Sequence, residues 1–442
     1  MIDIKSDKRF KAIPQFTERI PLAIPHMYGD EIDFVESAYK LGWVTTAGAN
    51  IDELEKMAAE YMGMKYAVAL SSGTSALHLA VRLAAEKLYH SSSGVTTPNG
   101  IGAGGSLYGR RVFCSDVTFV ATVNPVIYEG GEPVFVDIER DTWNMDPVAL
   151  EKAFEMYPDV KLVVLVHLYG TPAKIEEIKA VCKKHNALLI EDAAEALGSK
   201  YDDQYVGSFG DVSVISFNGN KIITGSSGGM FFSNDIVDEQ KVRKWSTQAR
   251  EAATWYEHEE VGYNYRMSNI IAGIVRGQWE HIDENISAKR AIYERYQSGL
   301  NGLPIRLNPY EASRSKPNFW LSCVLIDSEA MCIQTRADRD SSYITEEGHS
   351  CPEEIMEVLR QFHVESRPIW KPMHLQPMFR NNAYITNEGI NRGSSNAYNS
   401  EMNCPDNGKD IFSRGLCLPS DIGMTETEQE NVIKVIKRCF GE

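Results

Sequence analysis

Ser213-Val-Ile-Ser-Phe-Asn-Gly-Asn-Lys-Ile-Ile-Thr-Gly-Ser-Ser-Gly-Gly-Met230 decides how this chain is read. Val212, Val214, Ile215 and Phe217 predict a short apolar strand. The strand runs into small and polar residues around one lysine, Lys221, with Gly219, Gly225, Gly228 and Gly229 about it. Glycine lets a backbone take positive φ or approach another group closely. By residue type alone a lysine is a solvated surface charge. Held at a strand end among such turns it can point inward, and a desolvated amine becomes a nucleophile and base. The rest of the chain decides between these two readings.

Upstream, short apolar runs alternate with amphipathic ones. Strands are predicted at 66–70, 112–115, 133–138, 161–166 and 187–190, the last ending in Glu191-Asp192. Helices are predicted at 76–88, 117–128, 146–156 and 175–185. This alternation indicates βαβ units and a mainly parallel sheet, in which ligands sit beyond the carboxyl ends of the strands. Ser71 to Thr74, Thr118, Phe119, His167, Asp192 and Lys221 all fall at such ends or in the turns after them. Their convergence on one sheet edge is the main functional signal.

Ser71-Ser-Gly-Thr-Ser75 stands between a strand and a helix. The free amides and dipole of a helix start favour an anion, and Ser and Thr are equally the preferred caps. The turn reads as a phosphate cradle or as a plain capped helix. Asp192 likewise reads as a site carboxylate or a cap, and Trp43 as a ligand contact or a packing residue. Gly100, Gly102 and Gly105 match GxGxxG but follow a helix and a Ser/Pro loop, and no helix opens after them, so a dinucleotide site is rejected. Residues 89–110 read as a loop or insertion.

The 442 residues suffice for two or three domains and a large core. A formal charge of −16 argues against broad nucleic-acid or membrane-surface binding. No apolar run approaches a membrane span, and the N-terminus has no signal-peptide core, so a cytoplasmic protein is expected. The eight cysteines are scattered without a CxxC pair, so reduced thiols and no metal site are expected. Residues 1–29, with three prolines among them, predict an extended arm, 30–275 a large domain and 276–442 a smaller one. A long helix is expected over 270–300, a strand around 320–326, helices at 352–362 and 426–439, and loops at 328–349 and 380–411.

A lysine, a carboxylate at a neighbouring strand end, a phosphate cradle and an aromatic side chain together match a pyridoxal 5'-phosphate site. The lysine amine condenses with the aldehyde, the carboxylate keeps the ring nitrogen protonated, and the ring becomes an electron sink. Lys221 is then tether and base, with Asp192 as the ring-nitrogen partner.

The motifs Ser71-Ser-Gly-Thr74, Asp116-Val-Thr-Phe-Val-Ala-Thr122, Val166-His-Leu-Tyr-Gly170, Ile190-Glu-Asp-Ala-Ala194, Ser216-Phe-Asn-Gly-Asn-Lys221, Gly228-Gly-Met230, Gly262-Tyr-Asn-Tyr-Arg266 and Glu365-Ser-Arg-Pro-Ile-Trp-Lys-Pro-Met-His374 occur in this order. With them the chain resembles the DegT/DnrJ/EryC1/StrS sugar aminotransferases. The resemblance implies an α/β fold-type-I architecture, a mainly parallel seven-stranded sheet between helices plus a smaller α+β C-terminal domain. It implies that Glu195 lies near the ring hydroxyl and that Phe119 stacks on the ring. Gly73, Thr74 and Ser216 would hold the phosphate, with Asn264 from the other subunit of a homodimer. His167, Arg266, Arg367, Trp370 and His374 would lie nearer the sugar nucleotide. Within the family, the run ending at Lys221, Asp141-Thr-Trp-Asn-Met145 and Trp370-Lys-Pro-Met-His374 are most similar to C4 aminotransferases of UDP-4-keto-6-deoxy-N-acetylhexosamines, of the bacillosamine type. These take L-glutamate as donor, with pyridoxamine phosphate as the intermediate form. GDP-4-keto-6-deoxymannose (perosamine-type) and dTDP-sugar aminotransferases are the nearer rivals, and a non-catalytic cofactor- or sugar-nucleotide-binding regulator the rival of another class. C3 dehydratases carry histidine in place of this lysine.

Overall fold

The computed structural model describes residues 2, 4–90, 95–97, 100–102, 104–337, 339–389 and 405–442. At its centre is an eight-stranded sheet. In chain order its strands are β1 (Tyr66–Leu70), β2 (Arg111–Ser115), β3 (Glu132–Val136), β4 (Leu162–Val166), β5 (Leu188–Asp192), β6 (Val212–Ser216), β7 (Gly229–Ser233) and β8 (Tyr384–Ile385). They lie side by side as β1-β7-β6-β5-β4-β2-β3-β8. All neighbours pair in parallel except β7, which runs antiparallel between β1 and β6.

Every residue of β4 and β6 is buried, as expected where helices cover both faces. On one face Leu77, Val81 and Leu83 of the helix Gly73–Tyr89 pack with Val242 and Trp245 of Ile236–Ser246. On the other, Leu54, Leu150, Ile178 and Val275 come from Ala49–Met62, Pro147–Met156, Ile175–Lys184 and Asn269–Trp279. β2 shows the alternation: Phe113 joins the second face, Val112 and Cys114 the first.

The parallel strands and most helices stand where the sequence places them. The sheet has one strand more than the seven expected, and two of its strands, β7 and β8, lie beyond the six placed from the sequence. β7 was hidden because its apolar part is only Met230, Phe231 and Phe232 after a glycine pair. The eighth, β8, comes from 380–411, expected to be loop. The helix expected at 117–128 is a single 3-10 turn, Val120–Thr122, then Asn124–Tyr128. Proline is tolerated only in a first helical turn, so Pro125 forces the start to Asn124. The helix expected over 270–300 breaks into Asn269–Trp279 and Ile282–Gly299, and the expected division at 275/276 falls inside the first.

The segment expected to be an extended arm packs instead into the C-terminal core. Ile2, Ile4, Phe10 and Ile20 are buried there with Ile355, Leu359, Val432 and Ile436. Phe10 meets Phe362 edge-on at 6.1 Å, and Ile20 bridges Val364. Prolines prevent regular structure without preventing burial. The C-terminal part carries a four-stranded antiparallel sheet in the order Ile305–Leu307, Cys323–Ile326, Gly415–Cys417, Arg367–Pro368. Its Trp320, Leu321, Cys323 and Ile369 belong to the same core as the large sheet. Of the expected loops, 89–110 holds a small antiparallel pair, Val95–Thr97 with Gly100–Gly102, and 328–349 holds another, Gln334–Arg336 with Ser341–Tyr343. The seven described cysteines are unpaired and buried. Among the described residues no helix is long and apolar enough to cross a membrane.

Candidate active site

Lys221 is presented by a clasped loop. After β6, the Phe217 N–H donates to the Gly228 carbonyl at 2.9 Å, and the Phe217 carbonyl accepts from Gly225 N–H at 3.0 Å. A tight turn follows, with Lys221 N–H donating to the Asn218 carbonyl at 2.9 Å. These bonds aim the side chain along the sheet edge. Its Nζ lies 3.9 Å from Glu195 Oε1, and 3.9 Å above the centroid of the Trp320 ring. Burial lowers the pKa of Lys221, opposed by Glu195 and Asp192.

The carboxylates come from the end of β5. Asp192 is buried; its Oδ2 accepts from Thr122 Oγ1 at 2.6 Å and its Oδ1 from Ala194 N–H at 3.1 Å. Burial pushes its pKa up, against the pull of the Thr122 bond, the Ala194 amide, Lys221 and His167. Glu195 accepts from Tyr169 N–H at 2.7 Å, and burial lifts it to about 7 despite Lys221. The turn between β1 and its helix forms the neighbouring wall. Ser72 caps the helix, accepting from Ser75 N–H at 3.0 Å. The helix begins at Gly73, so the Gly73 and Thr74 amides have no intrahelical acceptor. The turn is thus a capped helix start, and its two leading amides remain available to an acceptor outside the helix.

A Cβ on Gly73 would stand 3.0 Å from Ser216 Cβ, and one on Gly229 only 2.4 Å from Gly73 N. Both positions need glycine because three chain segments meet there. Phe119 is 57% exposed, on the open side of the site, and its ring lies 5.6 Å from that of Trp370.

The structure thus gathers Gly73, Thr74, Phe119, Asp192, Glu195, Ser216, Lys221 and Trp370 around one edge. The remaining expected contacts are engaged elsewhere. His167 is fully buried, its Nε2 bonded to Glu191 at 2.9 Å and its Nδ1 accepting from Ala173 N–H at 3.1 Å. Arg266 is buried, donating to Glu55 at 2.9 Å and to the Ala69 carbonyl at 3.1 Å. Arg367 is exposed and pairs with Glu365 at 2.8 Å. Strand-end position pointed to His167, and the family resemblance to Arg266 and Arg367; the direction of each side chain was not in the sequence. Asn264 is exposed, on a segment held to the helix Gly73–Tyr89. Arg82 donates to the Val261 carbonyl at 2.6 Å, and His78 bonds Tyr265 at 3.2 Å.

His374 is also buried, between Asp116 Oδ2 at 2.7 Å and Asp406 Oδ2 at 3.1 Å, and stacked on Tyr384. It fastens the loop that carries Phe119 and Thr122. Burial works against its charge, but the two aspartates prevail and raise its pKa to about 9. A pKa raised above the ordinary ~6.5 contributes stability that is full below that pH and lost as pH rises through about 9. Unfolding by urea should show a loss of up to about 3 kcal/mol across that window, and His374→Gln should lack this slope and be less stable at neutral pH. Asp137, pushed up to about 7 by burial beside Asp116 and Asp406, loses stabilisation in the same direction at lower pH, so the comparison is read above about pH 7.5. Equal slopes there in both proteins would refute the imidazolium.

Sequence reading missed Thr122, Tyr169 and Trp320. Thr122 lies inside a quoted motif, but its hydroxyl reaches Asp192 across 70 residues of chain. Trp320 comes from the C-terminal part, and no local signal marks it.

These residues fit pyridoxal phosphate. A largely enclosed amine, its side chain 14% exposed, stands beside two buried carboxylates. Gly73 approaches Ser216 so closely that a Cβ would meet it at 3.0 Å, and the Gly73 and Thr74 amides at this helix start have no intrahelical acceptor.

Comparison with known proteins agrees. The sequence model of the DegT/DnrJ/EryC1/StrS aminotransferase family matches residues 25–437. The chain is 39% identical over 428 residues to EpsN of Bacillus subtilis (strain 168), covering 96% of each; that protein carries the name of a pyridoxal phosphate-dependent aminotransferase. It is 32% identical to the GDP-perosamine synthase of Vibrio cholerae, over 95% of this chain and 99% of that one. In fold it is similar to Helicobacter pylori PseC, an aminotransferase involved in the biosynthesis of pseudoaminic acid. The TM-score is 0.76 at 20% identity, over 95% of this chain and 99% of that one.

Proposed function

Because the chain belongs to the DegT/DnrJ/EryC1/StrS aminotransferase family and is a pyridoxal phosphate-dependent sugar aminotransferase, we propose that it moves the amino group of L-glutamate to the C4 ketone of a nucleotide-activated 4-keto-6-deoxy sugar. The acceptor proposed is UDP-2-acetamido-2,6-dideoxy-4-keto-hexose. The observation that carries the reaction class is the Lys221 amine, buried against Glu195 and Asp192 at the carboxyl edge of the sheet. The choice of UDP sugar is supported by the motifs at 141–145, 216–221 and 370–374. A second reading, a GDP-4-keto-6-deoxymannose acceptor, is favoured by the similarity to GDP-perosamine synthase.

In this reading Lys221 would hold the cofactor, with Asp192 at its ring nitrogen and Glu195 at its ring hydroxyl. Phe119 would stack on the ring, and Gly73, Thr74 and Ser216 would hold the phosphate. When bound, the cofactor supplies an electron sink and carries the amine from donor to acceptor. Lys221 Nζ, its proton affinity lowered by burial, takes the proton from the α-carbon of glutamate. In the second half-reaction it delivers a proton to C4 of the sugar. Asp192, held by Thr122 and Ala194, keeps its charge directed at one point.

We also propose a homodimer whose partner contributes Asn264. In support, Asn264 is exposed, and Met27, Ile32, Tyr39, Leu41 and Trp43 expose apolar surface within one short stretch, the mark of an interaction site.

The test supplies purified protein with glutamate and a panel of UDP-, GDP- and dTDP-linked 4-keto sugars. The expected result is highest kcat/KM for the UDP-N-acetyl sugar. A preference for the GDP sugar would move the assignment to the second reading. Bound cofactor with no reaction of glutamate would identify a regulator instead.

A further inference from the structure

Lys221 has a third neighbour besides the two carboxylates. Its Nζ stands over the face of Trp320 at 3.9 Å from the ring centroid, while Glu195 is too far for a hydrogen bond. Trp320 is 3% exposed and is held at three atoms. Its Nε1–H donates to the carbonyl of Asn220, the residue before Lys221, at 2.6 Å. Its backbone N–H donates to Asn318 Oδ1 at 2.9 Å, and the Asn318 amide donates in turn to the Glu195 carbonyl at 2.8 Å. Its carbonyl accepts from Lys289 Nζ at 3.1 Å, and the same ammonium donates to the Ser420 carbonyl at 2.5 Å. One ring is thus tied to the loop of Lys221, to the turn of Glu195 and to the helix Ile282–Gly299.

We propose that the face of Trp320 is the seat of the Lys221 amine, a positioning element that keeps Nζ beside Glu195 and Asp192 whenever the lysine is not covalently engaged. A tryptophan face carries negative quadrupole charge and attracts a desolvated ammonium. An amine on a flexible four-carbon stem has many places to go once free. The ring limits them to one, 3.9 Å from the ring centroid and 3.9 Å from Glu195 Oε1. The ionisable groups around this point are few. Glu195 and Asp192 face Nζ from the end of β5, and Tyr169 flanks the ring. His26 and Lys289 share with Lys221 the lining of a cavity of about 20 Å³ behind it. The seat crosses the expected division of the chain, since Lys221 lies in 30–275 and Trp320 in 276–442. The contact itself needs no cofactor; its catalytic meaning rests on Lys221 being the cofactor lysine.

The test uses cofactor-free full-length protein. Reactivity of the Lys221 amine toward acetic anhydride is followed against pH by mass spectrometry of the peptide. Tryptophans of increasing fluorine number, which keep the ring's shape and drain its quadrupole, are placed at position 320. The midpoint for Lys221 should fall stepwise, by about one pH unit at full fluorination. Trp320→Leu should fall as far, and Trp320→Phe by less. A midpoint that stays flat across the fluorinated series overturns the proposal, because a purely structural tryptophan would be indifferent to fluorine. A stepwise fall without turnover of any nucleotide sugar sinks the proposed substrates and leaves the seat standing. A flat series with normal turnover does the reverse.

Discussion

Lys221→Ala is expected to abolish turnover, with a loss of about 10⁴-fold or more in the reaction of glutamate. The variant removes the atom proposed to bind the cofactor and the base proposed to move the proton, and no second amine stands in its place. Lys289, a buried lysine that lines the same small cavity, is committed to the Trp320 and Ser420 carbonyls. Stability should change little. Nζ sits 3.9 Å from Glu195, so no tight hydrogen bond is lost. Glu195, held at about 7 partly by Lys221, would rise further and be neutral at physiological pH, which avoids an unpaired buried charge. The measurement is single-turnover conversion of glutamate, with urea unfolding as the control for folding. Turnover within tenfold of wild type would remove Lys221 from the mechanism.

Asp192→Asn carries the second largest effect, an expected loss of about 10²- to 10³-fold in the same half-reaction, the scale of removing one preorganised charge from a site. Shape and the Ala194 bond are kept; the negative charge is not. An amide cannot hold a proton on a ring nitrogen, so the sink weakens while the phosphate contacts at Gly73, Thr74 and Ser216 persist. Cofactor should therefore still bind, more weakly. Thr122→Val is the graded comparison. It strips one hydrogen bond from a charged acceptor, worth about 1.5–3 kcal/mol, and should cost about tenfold or somewhat more. If Asp192→Asn were as active as wild type, or less damaging than Thr122→Val, Asp192 would not be the charge that acts on the ring.

Much of this site was legible beforehand because each part has a local signature. Lys221 stands in a glycine-bounded loop after an apolar strand. Ser71 to Ser75 announces a helix start, and Asp192 ends a strand that opens with Leu188, Leu189 and Ile190. What could not be read was direction. His167 and Lys221 both follow strands of the same sheet, yet one is sealed onto Glu191 and the other projects along the edge. His374 falls at the end of a motif that also contains Trp370, but it turns inward to Asp116 and Asp406. In each case a rotation of a few bonds, set by a carboxylate far away in sequence, separates a ligand contact from an internal tie.

The first six strands of the sheet, most of the helices between them and the helix-start turn at Ser71 to Ser75 were written in the sequence alone, because periodicity, caps and glycines act over a few residues. The lysine's partners were decided only by the tertiary structure. Thr122 on Asp192, Tyr169 on Glu195 and Trp320 beneath Lys221 are contacts between elements that meet only when both faces of the sheet are covered. Burial at that meeting point, which no local pattern encodes, lowers the proton affinity of one amine and raises that of its two carboxylates.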